Sequence, residues 1–431
     1  MNAQKANNTK EKVRQLQRKL YLTAKGNSKR RFHALYDKVY REDILWEAWK
    51  RVKSNGGAGG IDEVSIEDVK RYGEEKFIQE IREMLIEGKY HATPVRRVYI
   101  EKGEGKKRPL GIPIIKDRVV QMAVKLMIEP IFEADFKECS YGFRPKRSMH
   151  QALEKVRKDT AKKGWWIVDA DISGYFDTIN HDKLMKLVEL RISDRRVLKY
   201  IRQWLKAGVI HEGEFEESEI GSPQGGVISP LLSNIYLNYL DTKWENHYQH
   251  LGKLTRFADD FVIVCRTKKE AQHALKAVAA IMERLELTLH PEKTRLVNLW
   301  EGKEGFDFLG FHHRRKQTET AKGQRFYETH QFPSKKAMKK MRGRIWEVFA
   351  SRSTLLLDMK DMIKTLNPKI IGWRNYYGLK NAGRQLNKID WYLIQKFTIW
   401  YNNKVQNSRR LSGIQKVRRT VYEQGLKKIA V

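Results

Sequence analysis

The chain has 431 residues, 85 of them Lys or Arg and 52 Asp or Glu, for a net charge of +33. Its 41% apolar and 32% charged residues exclude wholesale disorder and leave enough for a sizeable core, and the length suggests two to four domains at about 100–200 residues each. No run of about 18 apolar residues and no signal-peptide core exists, so no membrane partner is expected; the two cysteines, Cys139 and Cys265, cannot make a disulfide framework or a four-Cys zinc site, which points to a reducing compartment.

Residues 1–60 are basic and read mostly helical, with Trp46, Trp49 and Val52 at helical spacing. The run Gly56-Gly57-Ala58-Gly59-Gly60 stops that helix, and a second helix is expected over 65–87. Val95, Val98 and Ile100 alternate ahead of a Gly/Lys turn, the mark of a β-hairpin. A helix over 116–129 should end near Pro130. The segment Trp165–Asp171 reads as a short buried strand, and Asn180 as the cap of a helix from His181. Residues 212–219 are acidic and read as an exposed hairpin. Ser229-Pro230 is a strong helix start, with Ser at the N-cap. Residues 255–265 read as two strands with Asp259 and Asp260 at their turn. Thr267 and Glu270 form a capping box that opens a helix to about Leu285. Beyond about 334 the chain reads as all helix.

The charge is uneven. Residues 312–431 hold 28 Lys/Arg and 7 Asp/Glu, among which lie Trp346, Trp373, Trp391, Trp400 and the pair Tyr376/Tyr377. Such cations neutralise phosphates, and aromatic faces either stack on unpaired bases or fill a core. A polyanion partner follows, nucleic acid ahead of a membrane surface.

Asp171, Asp259 and Asp260 each follow apolar, strand-like residues. Carboxylates at strand ends are costly to bury unless they hold a cation. A lone Asp-Asp would read as a turn; two separated acidic strand ends in one basic chain suit Mg²⁺, which takes a few carboxylates together with substrate phosphates.

Asp169-Ala170-Asp171-Ile172-Ser173-Gly174-Tyr175-Phe176-Asp177 resembles the first catalytic motif of reverse transcriptases, and Phe257-Ala258-Asp259-Asp260 resembles their aromatic-Ala-Asp-Asp box, usually written with Tyr. Further blocks follow in the family's order: Arg108–Pro113, Tyr141–Pro145, Gly221–Gly226, His290–Thr294, Phe308–Phe311 and, in the tail, Pro368–Tyr377. Together they resemble a bacterial group II intron-encoded reverse transcriptase/maturase.

The resemblance implies an α+β right-hand polymerase, with fingers and an antiparallel palm sheet, followed by an all-helical thumb/maturase domain. The divisions expected are a basic helical N-terminal extension and the start of the fingers over 1–85, fingers and palm over 86–313, and thumb over 330–431. It also implies Asp171, Asp259 and Asp260 as catalytic ligands of two Mg²⁺ ions, with Asp169 the rival for the first position. Phe176 would lie under the sugar of the incoming nucleotide and select deoxynucleotides against a 2′-hydroxyl. Lys102 and Arg108 bracket the hairpin turn and would meet the triphosphate, though Lys106 and Lys107 compete with Lys102. Gln224 would hydrogen-bond near the nascent base pair, and Lys293 would protonate pyrophosphate.

The activity implied is RNA-directed DNA synthesis, together with binding of its own intron RNA to assist splicing and mobility, in the bacterial cytoplasm. The partners implied are intron RNA, an RNA template, a DNA primer, target DNA and deoxynucleoside triphosphates. Two alternatives stay open: a splicing maturase acting only as an RNA-binding protein, and a reverse transcriptase serving phage defence or repair. No cysteine follows Cys265, so no His-Asn-His endonuclease is expected.

Overall fold

The computed structural model describes residues 3–103, 106–161, 164–211, 214–216, 220–221, 225–319 and 323–430. The chain forms two compact units, one of residues 1–152, 170–261 and 272–294, the other of residues 153–169, 262–271 and 295–431.

The first unit is organised by the helix Ile115–Glu133, buried nearly all round, with its buried polar residues Asp117, Arg118 and Gln121 each hydrogen-bonded to another part of the chain. The N-terminal helix Ala3–Gly26 and the helix Glu42–Asn55 pack on it. It runs through Pro130 rather than ending before it. The expected helix over 65–87 is two helices, Ile66–Tyr72 and Glu74–Ile86, parted at Gly73, where φ is 110°. Ser65 opens the first of them with a capping box to Asp68.

The hairpin forms as the alternation predicts. Val95–Gly103 and Lys106–Ile112 run antiparallel with Val98 opposite Leu110. Val95 then pairs in parallel with Val209, and Val209–His211 pairs with the exposed strand Glu214–Glu216. Asn180 caps the helix His181–Glu189 by accepting from Lys183 N–H at 2.9 Å. The helix at Pro230 begins at Ser229 itself, so Ile228, not Ser229, is its cap residue.

A second sheet has the order Lys253–Phe257, Asp260–Cys265, Trp166–Ala170, Arg295–Asn298. Its acidic turn falls where expected. The capping box of Thr267 and Glu270 is closed in both directions, at 3.1 and 3.0 Å, and opens the helix Lys268–Arg284.

In the second unit, Gly305–Phe308, Phe311–Glu319 and Arg325–Pro333 form a three-stranded antiparallel sheet. The helices Lys335–Ala350, Met359–Tyr377, Gly383–Lys404 and Ile414–Glu423 follow around a core that includes Met341, Leu366, Ile389, Leu393 and Phe397. Of the four tail tryptophans, Trp373 and Trp400 are buried in that core, whereas Trp346 and Trp391 are 54% and 43% exposed. Among the described residues no helix is long and apolar enough to cross a membrane.

Candidate polymerase site

Asp171 is the first residue past the strand Trp166–Ala170, and Asp260 opens the strand Asp260–Cys265. The two strands are neighbours in one sheet. Ala170 and Asp171 share the first unit with Asp259, Asp260 and Phe261, while the far parts of both strands do not. The end of one strand therefore lies by the start of the other, which is antiparallel geometry. Asp171, Asp259 and Asp260 are all half-buried. Burial raises the pKa of the Tyr175 hydroxyl, and the negative charge of Asp259 adds to that rise.

The turn at Asp259 is held from behind. Ala258 sits in the left-handed region at φ 58°. Its carbonyl accepts from the guanidinium of Arg256 at 2.8 Å. Arg256 is fully buried, as is its partner Asp241, which it meets with both arms of the fork. The same guanidinium donates to Asn234 Oδ1 at 3.1 Å and Ser140 Oγ at 2.9 Å. Asn234 in turn donates to the Gly142 carbonyl at 2.8 Å. Gly142 presses on the turn so closely that a Cβ there would stand 2.3 Å from Ala258 N. Sequence reading does not find Arg256, Asp241, Asn234 and Ser140. The one signal is a charged residue, Arg256, set between Thr255 and Phe257 within a strand-like run.

Asp171 is tied to the segment His290–Thr294. Its carbonyl accepts from His290 N–H at 2.8 Å, and its carboxylate meets Lys293 Nζ at 2.5 Å. Ser173 N–H donates to Thr288 at 2.9 Å, so the whole segment is laid against the first acidic motif. Asp169 is engaged differently: it pairs with Arg295 at 3.1 Å, its cross-strand partner in the ladder. That contact supports strand pairing and leaves the strand end to Asp171.

Phe176 is half-buried in a short turn, edge-on to Tyr175 with ring centres 5.2 Å apart. Gly221 adjoins that turn, with its N–H donating to the Ile179 carbonyl at 2.9 Å and its own carbonyl 2.5 Å from His181 Nε2. A few residues on, Gly225 backs onto the Gly111 carbonyl and Val227 N–H donates to Gln121 at 2.9 Å. The blocks at 108–113, 171–177 and 221–226 therefore meet. Gln224 and the side chain of Lys102 lie outside the described residues. Arg108 is exposed on its strand opposite Ile100.

Among the described residues no three carboxylate, imidazole or thiol side chains are gathered tightly enough to hold a metal ion. The donor chemistry still suits a hard divalent cation, with carboxylate oxygens at half-buried strand ends, one of which already attracts an ammonium group.

In the second unit the block Phe308–Phe311 is joined to the aromatic end of the helix Met359–Tyr377. Tyr376 donates to the Leu309 carbonyl at 3.0 Å, and Phe311 stacks on Tyr376 with ring centres 5.7 Å apart. A Cβ on Gly310 would come within 2.7 Å of the Tyr377 hydroxyl.

Comparison with known proteins gives two family matches. Residues 100–313 match the reverse transcriptase (RNA-dependent DNA polymerase) family, and residues 338–419 match the group II intron maturase-specific domain. Protein YkfC of Escherichia coli (strain K12) is 37% identical over 346 residues, covering 71% of this chain and 89% of that protein. The group II intron-encoded protein LtrA of Lactococcus lactis subsp. cremoris is 41% identical over 214 residues, 49% of this chain and 35% of LtrA. An uncharacterized 91 kDa protein in the cob intron of Schizosaccharomyces pombe is 35% identical over 230 residues, 51% of this chain and 27% of that protein. With both domains matched in this order, and most of one relative spanned, the chain belongs to the family of group II intron-encoded reverse transcriptase/maturases.

Proposed function

We propose that Asp171, Asp259 and Asp260 form the catalytic centre at which this reverse transcriptase copies RNA into DNA. The chain is an RNA-directed DNA polymerase that also carries a maturase domain, and its substrates are nucleic acids. Reverse transcriptase domains depend on a divalent metal; here two Mg²⁺ ions would be held by the three aspartates. When bound, they would lower the pKa of the primer 3′-hydroxyl and stabilise the departing pyrophosphate. Arg108, with Lys102, would clamp the triphosphate. Phe176 would exclude a 2′-hydroxyl. Gln224 would hydrogen-bond near the nascent base pair. Lys293 Nζ, already at Asp171, would supply a proton to the leaving pyrophosphate.

We further infer the layout as an N-terminal extension and start of the fingers over 1–85, fingers and palm over 86–313, and a helical thumb/maturase domain over 330–431. The specific partners proposed are intron RNA and RNA template, DNA primer and target DNA, and deoxynucleoside triphosphates, in the bacterial cytoplasm.

The observation that carries this reading is the placement of Asp171 and the Asp259/Asp260 turn at one end of two adjacent strands. The test is primer extension on an RNA template. Asp259→Asn is expected to abolish it, and full activity in that variant overturns the assignment. If that variant still rescues splicing of the intron RNA, the polymerase and maturase roles are separable.

A further inference from the structure

His181 is the first residue of the helix His181–Glu189, a few residues past Phe176. Its side chain is buried, too deep to meet a substrate. Nε2 faces the Gly221 carbonyl, which can only accept, so this nitrogen carries the ring proton. Nδ1 is buried and makes no hydrogen bond. A residue that served packing alone would fill this space better with an apolar ring, since an unmatched buried acceptor is costly. What the imidazole does here is hold Gly221.

Gly221 presses on the turn that carries Phe176. A Cβ there would stand 3.0 Å from the Phe176 carbonyl oxygen and 3.1 Å from Asp177 Cα, and its φ of 90° suits glycine. Main chain lies against main chain, with no flexible side chain between them to take up a displacement. The turn itself is closed by Asp177 N–H donating to the Gly174 carbonyl at 2.8 Å. A shift at Gly221 therefore becomes a shift of the Phe176 ring. The far end of the loop is anchored on another element: Val227 N–H donates to the buried Gln121 side chain at 2.9 Å, on the helix Ile115–Glu133.

We propose that His181 is a positioning residue for sugar selection. By donating Nε2–H to the Gly221 carbonyl it keeps that backbone against the Phe176–Asp177 peptide, and so fixes the depth of the ring that meets the nucleotide sugar. The proposal rests on the reading of Phe176 as the group that excludes a 2′-hydroxyl, and deepens it.

Single-nucleotide primer extension on an RNA template tests it in the full chain. The readout is the ratio of kcat/KM for deoxyadenosine triphosphate to that for adenosine triphosphate, opposite a template uridine. His181→Phe keeps a ring but has no donor, and should lower the ratio about 10-fold. His181→Gln returns a donor to the carbonyl and should restore most of it. Gln121→Met frees the other anchor and should lower kcat/KM for both sugars alike, with the ratio at the wild-type value. Phe176→Ala should lower the ratio further than His181→Phe does, and the double variant should be no lower than Phe176→Ala alone. An unchanged ratio in His181→Phe, beside a lowered one in Phe176→Ala, overturns the proposal and leaves the Phe176 reading standing. A fall as large in Gln121→Met overturns it too, since any loosening of the loop would then suffice. An unchanged ratio in Phe176→Ala removes the Phe176 reading itself, and the role of His181 with it. Where thermal melts show that His181→Phe does not fold, His181→Asn, whose amide stops short of the carbonyl, takes its place in every comparison.

Discussion

The side-chain amide of Gln17 donates to the main-chain carbonyl of Leu126 at 3.0 Å. Leu126 is four residues before Pro130, whose nitrogen has no hydrogen to return to that carbonyl. The helix Ile115–Glu133 continues through the proline, and the N-terminal helix serves the acceptor left over. Gln17→Leu should therefore destabilise the fold by about 1–3 kcal/mol. In a Pro130→Ala background, where the helix can supply its own donor, the same change should cost clearly less. Urea unfolding of the four proteins of this cycle measures the difference, and equal losses in both backgrounds refute the link.

The Arg256–Asp241 pair is fully buried, so removing one partner strands the other charge. Asp241→Asn should cost about 3–5 kcal/mol. Arg256→Lys keeps the charge but loses the fork, and should recover only part of the stability. An unfolding free energy for Asp241→Asn within about 1 kcal/mol of wild type, measured by denaturant titration, would contradict the buried pair as drawn.

Gly142→Ala puts a methyl group against backbone, not against a movable side chain. The turn at Ala258 must then shift, and Asp259 with it. Primer extension should fall on the order of 10²-fold, the scale of an ångström-sized misplacement. Far-UV circular dichroism should stay unchanged. Extension at the wild-type rate would mean that the turn absorbs the methyl group without moving its acids.

His313 is fully buried, stacked on Phe306 with ring centres 4.6 Å apart. Burial lowers its pKa to about 3, so the folded state keeps it neutral. Unfolded, it takes a proton near the ordinary imidazole value of about 6.5. Its contribution is therefore complete above pH ~6.5 and is lost progressively as the pH falls toward 3. His313→Phe should flatten that part of the stability profile. Thermal melts from pH 4 to 8 read it directly, and an unaltered slope in the variant would assign the acid sensitivity elsewhere.

The Lys293–Asp171 pair is partly exposed on both sides, with the Lys293 side chain 57% accessible. Its contribution to stability should be below about 1 kcal/mol. Its contribution to extension should be much larger, on the order of 10²-fold if Lys293 is the proton donor. Lys293→Met should separate the two: an unchanged melting temperature with slow extension is expected, and wild-type extension would remove Lys293 from the chemistry.

Much of the architecture follows from local rules. The alternation of Val95, Val98 and Ile100 predicts the hairpin, Asn180 and Thr267 predict their helix starts, and the acidic turn lies where the apolar strands end. The failures share a cause, partners far away in the chain. Pro130 looks like a helix end until Gln17, more than a hundred residues earlier, is known to serve Leu126. The strand Phe311–Glu319 hides because its inward positions include His313 rather than a β-branched residue, and that histidine is covered by Phe306 and Gln331. The tail tryptophans look alike in sequence, yet Trp373 is packed and Trp391 is bare, because spacing alone does not tell which helix face meets a neighbour. The support of the Asp259 turn comes from Ser140, Asn234 and Asp241, three points that no motif links.

The joint between Leu309-Gly310 and the Tyr376/Tyr377 pair bears on how the molecule can be taken apart. A chimera that exchanged only the helices after Pro333 would import foreign rings beneath a native bend, and that bend would lose both its hydroxyl tether and its stacked lid. Grafts of the tail should therefore carry the three short strands from Gly305 onward as one cassette.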